Sequence, residues 1–175
     1  MIGWKWNYIF SRRSKIMEQR KMVRWLKFLV IFVAICGLLL CAVVIPVVGK
    51  ELSGISPELG KYFKPWVIFI WVLAIPCFAA LLHAWLIFSN IEKDKAFSME
   101  NAKHMERISY LAGADTVALI SGNIVFLILN VNHPSVFLVS LLIGIIGIGI
   151  SVGAAVLSHL IQKAANLQDE NDLTI

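Results

Sequence analysis

The chain has 175 residues, with sixteen Lys and Arg against eleven Asp and Glu, for a formal net charge of +5. It is 59% hydrophobic and only 15% charged, with a mean hydropathy of +0.79, where soluble domains usually carry about 25% charged residues. Those values exclude an ordinary soluble globule, a disordered chain and a polar nucleic-acid-binding domain. An all-α membrane protein remains.

Residues 1–27 form a basic arm that combines Trp4, Trp6, Tyr8 and Phe10 with eight Lys and Arg. Beside a membrane span this mixture reads as anchoring to anionic headgroups, at about 1 kcal/mol per basic residue near the surface. The bilayer, and no direct nucleic acid, is therefore the expected partner of the arm. Met17 opens the run Met17-Glu18-Gln19-Arg20-Lys21-Met22, itself a reasonable start, so whether residues 1–16 belong to the native protein stays open.

Four apolar runs follow, at about 28–48, 66–89, 108–131 and 135–161. At ~1.5 Å per residue each outspans the ~30 Å hydrocarbon core. The runs are apolar on every side, which suits helices rather than the alternating strands of a barrel. The first run is longer than a signal-peptide core and lacks a small-x-small cleavage site, so it is expected to stay as an anchor. Thirteen Lys and Arg fall on the side holding both termini and the second connection, and three on the other side. Positive residues collect on the cytoplasmic side, so both termini are expected inside. The expected architecture is an antiparallel four-helix transmembrane bundle over 28–161 in a bacterial cell membrane, with an elbow at 90–107 and an acidic cytoplasmic tail at 162–175.

The first connection, 49–65, carries Gly49, Gly54, Pro57 and Gly60 and reads as a turn-rich loop. Pro76 is expected to kink the second helix. Cys36, Cys41 and Cys77 all fall within spans and read as small apolar fillers.

The elbow reads Phe88-Ser89-Asn90-Ile91-Glu92-Lys93-Asp94-Lys95-Ala96-Phe97-Ser98-Met99-Glu100-Asn101. Ser98 is a good helix N-cap and Glu100 suits the first turn, so a helix from Met99 is expected to run into the third span. The elbow is either a solvated connector or a docking surface. Its pattern of Phe88, Asn90, Ile91, Lys93, Lys95, Phe97, Ser98 and Asn101, with the ending Asp169-Glu170-Asn171-Asp172-Leu173-Thr174-Ile175, resembles a bacterial membrane family known as domain of unknown function 2975, over roughly 23–175. The resemblance implies a four-span protein and a small helix-turn-helix regulator as a partner. If the elbow and the tail dock it, rather than being solvated, the expected contact residues are Asn90, Lys93, Phe97, Ser98, Asn101, Glu170, Asp172 and Leu173. It brings no catalytic residue set, and no Gly-rich phosphate loop, activated nucleophile or His-Glu-x-x-His motif is present. No enzyme and no cofactor is expected.

Asp115 stands inside the third run, where an unpaired carboxylate costs about 2.5–3.5 kcal/mol on insertion scales. His83 precedes Ser89 by six residues and Asp115 follows Ser109 by six, which places both ~9 Å inside the boundary. With His159 they are expected to form one intramembrane cluster. Three readings compete: a polar lock worth ~0.6 kcal/mol per contact, a proton- or cation-linked switch, and a zinc site, disfavoured because no ligand-spacing motif is present. Asn123 lies deeper and is expected to bond between helices. A transport path would need matching polar residues on the first span, which has none.

The fourth run has small residues at Ser140, Gly144, Gly147, Ser151, Ala154 or Ala155, and Ser158 on one face, with Gly149 and Gly153 on a neighbouring face. Small residues let helices approach closely, so this helix is expected to pack centrally, or to form a homodimer. Three functions follow from these features. The first is a non-enzymatic protein acting through a regulator. The second is a cation-linked permeation or sensor protein. The third is immunity against a membrane-active peptide.

Overall fold

A computed structural model describes the backbone of residues 3–55 and 57–172, and the side chains of residues 17–18, 20–51, 54 and 63–171. Helix α1 spans Gly3–Leu39, a π-helical stretch covers Leu40–Val44, and α2 spans Ile45–Ile55. Helices α3 (Pro57–Glu92), α4 (Met99–Ile128) and α5 (Pro134–Asp172) complete the chain, with no strand among the described residues. Four helical segments are long and apolar enough to cross a membrane: Arg20–Glu51, Phe63–Glu92, Met99–Ile128 and Pro134–Asn171. The fold is an all-α membrane protein. Ile75, Leu82, Val117 and Ile145 point outward and exposed, which lipid tolerates because its tails are as apolar as the side chains.

The first connection differs from a loop. Helix runs to Ile55 and resumes at Pro57, where a proline at the first helical position loses nothing, because its missing N–H would have been unpaired anyway. Gly49 is buried in α2, and a Cβ there would overlap the Phe63 ring. Glycine at 49 thus serves a close helix approach rather than a turn.

Pro46 explains the π-helical stretch. Ile45 N–H bonds to the Leu40 carbonyl, five residues back. The Cys41 carbonyl would next need a donor at residue 46, and proline has none. Trp71 Nε1 of α3 supplies it at 3.1 Å. Pro76, in contrast, sits within an unbroken α3.

Close backbone contacts put the helices in a row: α1 and α2 lie on α3, α3 on α4, and α4 on α5. The small residues of α5 do form a packed face, but against α4. Among the described residues α5 stands at the end of the row and α4 in its interior, so the central position expected for α5 belongs to α4. The reason is one-sidedness: small residues admit a close neighbour only on the face that carries them.

Both turns flanking α4 end their preceding helix in the same way. At the first, Lys95 N–H bonds to Asn90 O and Asp94 N–H to Ile91 O, with Asp94 at φ 60°. At the second, Val131 N–H bonds to Phe126 O and Asn130 N–H to Leu127 O, with Asn130 at φ 53°. These are Schellman caps in which Asp or Asn takes the left-handed position usually given to glycine.

Candidate functional site

Helix α4 carries a ladder of polar side chains, and its lower rungs build the elbow. Asn101 is almost wholly buried, at 1% exposure. Its Oδ1 accepts from Asn90 Nδ2 at 2.9 Å, and its Nδ2 donates to the carbonyls of Lys95 and Ala96, both at 3.0 Å. Ser98 caps α4 by accepting the Asn101 N–H at 3.3 Å. Ser158 of α5 donates to the Ala102 carbonyl at 2.7 Å. One asparagine thereby ties the end of α3, the turn and the start of α4 together. Lys93 and Phe97 are left exposed on the outside of this ordered turn.

The elbow end also fastens α1. Lys27 Nζ lies 2.6 Å from Glu92 Oε2 and 5.2 Å from the Trp85 ring centroid. Glu92 stands beyond the apolar run of α3, and the hydrogen bond and charge of Lys27 hold its carboxyl below the usual glutamate range.

Higher on α4 lies Asp115. Its Oδ2 accepts from Cys77 Sγ of α3 at 3.3 Å, and its Oδ1 is buried with no hydrogen-bond partner. A thiol is a weak donor, so this carboxyl is poorly satisfied. It faces a cleft of about 470 Å³ whose walls come from α1, α3, α4 and α5. The neighbouring Thr116 does not help, since its hydroxyl donates to Ala112 O at 2.8 Å.

The structure does not bring His83 and His159 to Asp115, which corrects the expected cluster. His83 Nδ1 lies 3.1 Å from His104 Nδ1, with Glu100 Oε1 3.8 Å from the far nitrogen of His104. His83 is six residues along α3 from Cys77, about 9 Å nearer the elbow. His159 is exposed and lines a separate hollow with Glu106, Ser109, Tyr110, Ser158 and Gln162. Ser89 and Ser109 do not stand at one depth. Asn90 meets Asn101, so Ser109 starts about two turns further in. Counting outward from the Asn90–Asn101 contact, Cys77 is thirteen residues back and Asp115 fourteen forward. That mirror register, which only the folded structure supplies, sets Cys77, expected as a filler, beside Asp115. His104, outside the third apolar run, gave no signal beyond its residue type. Among the described residues no three His, Cys, Asp or Glu side chains gather as metal ligands do.

Asn123 is buried and bonds within its own hairpin: its Oδ1 accepts from Asn132 Nδ2 at 2.8 Å, and its Nδ2 donates to Leu119 O at 2.9 Å. It locks the second turn as Asn101 locks the first. On α5, a Cβ at Gly144 would press on Ile120 at 3.0 Å, and one at Gly147 would overlap Thr116. Ser151 exchanges bonds with Ser109 at 2.8 and 2.9 Å. Ser140, Ala154 and Ser158 are buried in the same seam. Gly149 and Gly153 face open space. Of the tail residues singled out, Glu170 lies at the end of α5, while Leu173 and the side chain of Asp172 lie outside the described residues.

Comparison with known proteins agrees with this architecture. The chain is 32% identical over 154 residues to the uncharacterised membrane protein YoaS of Bacillus subtilis (strain 168), covering 86% of this chain and 96% of that protein. No solved structure matches it. The family model described as protein of unknown function DUF2975 matches residues 18–175, and the chain belongs to that family.

Proposed function

We propose that this chain is a non-enzymatic protein of the bacterial cell membrane, with both termini and the elbow in the cytoplasm, that holds a small helix-turn-helix regulator at the membrane. The observation that carries this reading is Phe97, 61% exposed on a turn that Asn101 fixes through the Lys95 and Ala96 carbonyls before it and the Ser98 hydroxyl after it. An aromatic side chain held out on an ordered turn loses little freedom when a partner covers it, and such residues anchor protein interfaces. Exposed Lys93, Asp94, Lys95 and Glu100 surround it as a charged rim. The bias of Lys and Arg toward the elbow side supports the orientation. The tail, including Glu170, Asp172 and Leu173, supplies a second, acidic contact in this reading.

The test replaces Phe97 with a photo-crosslinking phenylalanine analogue in cells, with the same group at lipid-facing Ile75 as reference. A soluble partner is expected on illumination at position 97, absent at 75 and reduced when residues 167–175 are deleted. Identical products at 97 and 75, or a C-terminal reporter active only outside the cell, would overturn the proposal.

A further inference from the structure

We infer that the cleft beside Asp115 is a binding site for a lipophilic ammonium ion, an apolar body carrying a primary or secondary amine. The inference stands on the cleft alone and is independent of docking at the elbow. Its volume of about 470 Å³ falls within the range of small-molecule sites, about 300–1,000 Å³. Val33 of α1, Ala80 of α3, Ala112 of α4 and Ile146 of α5 supply apolar walls. Asp115 alone brings an unsatisfied polar atom, its buried Oδ1.

Among the described residues no side chain offers this carboxylate a cation. On α4 the nearest basic residue is Arg107, eight residues toward the elbow and about 12 Å along the helix. Helix α3 has no Lys or Arg between Lys64 and Lys93, the first span has none between Lys27 and Lys50, and α5 has none before Lys163. A carboxylate at membrane depth needs a charge partner or a donor. A ligand ammonium supplies both once rotation of the Asp115 side chain turns Oδ1, closed to water-sized contact, toward it, while its apolar part fills the cleft. A lipid tail would fill the walls and leave Oδ1 as it is.

The probe is 1-naphthylmethylamine, followed by its fluorescence with the full chain in lipid nanodiscs, against 1-naphthalenemethanol, which has nearly the same shape without the charge. Saturable amine binding is expected, at least tenfold weaker for the alcohol and for Asp115→Asn. Ala80→Phe, which fills the cleft from the α3 wall and keeps Asp115, should abolish it. A second readout leaves Asp115 intact: in a Cys36→Ala, Cys41→Ala background, saturating amine should slow alkylation of Cys77 by N-ethylmaleimide at least fivefold. Equal binding of amine and alcohol, undiminished binding by folded Asp115→Asn, partitioning no greater than into empty nanodiscs, or unprotected Cys77 would overturn the inference.

Discussion

The two flanks of the helix row are held together by different means. Helices α4 and α5 meet along a seam that runs from Ala102 on Ser158 to Ile120 on Gly144, with Gly144 and Gly147 letting Thr116 and Ile120 close in and Ser109, Ser151 and Ser158 bonding across it. Among the described residues α1 and the π-helical stretch after it are fastened to α3 by Lys27 on Glu92 near one end and the Cys41 carbonyl on Trp71 near the other, with Gly37 against Phe78 between them. In lipid, apolar contact gives helices little reason to prefer one another over the bilayer, so close packing and polar bonds decide which pairs stay together. The α4–α5 hairpin is thus expected to move as a unit, and α1 to be the more easily displaced helix. The Asp115 cleft has walls from both flanks.

Breaking the tight flank should have the largest effect. Gly147→Leu drives a side chain into Thr116, and overpacking of this kind costs about 3 kcal/mol. Gly149→Leu, on the open face, should leave stability unchanged. Denaturant unfolding in micelles compares the two; equal losses would show that the seam is not what holds α5. Asn101→Ala comes next. It removes the partner of Asn90 Nδ2 and of two turn carbonyls, and buried polar groups left unpaired cost about 2 kcal/mol. Faster hydrogen exchange confined to residues 90–102 is the expected signature.

On the looser flank, Trp71→Phe removes the donor to Cys41 O, for a loss of about 1 kcal/mol. Pro46→Ala restores the missing N–H and lets the helix bond normally through residues 40–46. In that background Trp71→Phe should be silent. A double-mutant cycle in micelles reads the coupling, and additive losses would separate the π-helical stretch from Pro46.

The same contrast separates what was legible in the sequence from what was not. Four spans and the α5 seam follow from hydropathy and helical spacing, because a face of small residues has one use at a helix contact. The Ser98 cap follows from local chemistry, since it concerns residues three apart. The surroundings of Asp115 depend on the register between two helices, which a single chain does not state. Matching depths from the ends of apolar runs put His83 beside Asp115, whereas the Asn90–Asn101 contact shifts the register by about two turns. The Gly- and Pro-containing connection departs from the expected loop for a related reason: Gly49 answers to Phe63, fourteen residues away, and not to a turn.

The smallest effect should come from the Lys27–Glu92 clamp, and its sign is fixed. Lys27 holds the Glu92 carboxyl below its ordinary range, so the folded state binds this proton less readily than the unfolded chain does. The contribution is therefore complete above the unfolded glutamate value and fades as pH falls through the lower folded one. Glu92 is partly open to solvent, so salt screens the pair and the gain is slight. Lys27→Met should remove this acid-dependent component while keeping the apolar stem over Trp85. Because the clamp fastens α1 and not the α4–α5 hairpin, the change should appear as altered spin-label distances between α1 and α3, with those between α4 and α5 unmoved. Movement of both pairs together would mean that the row behaves as one body and that the two flanks do not differ in rigidity.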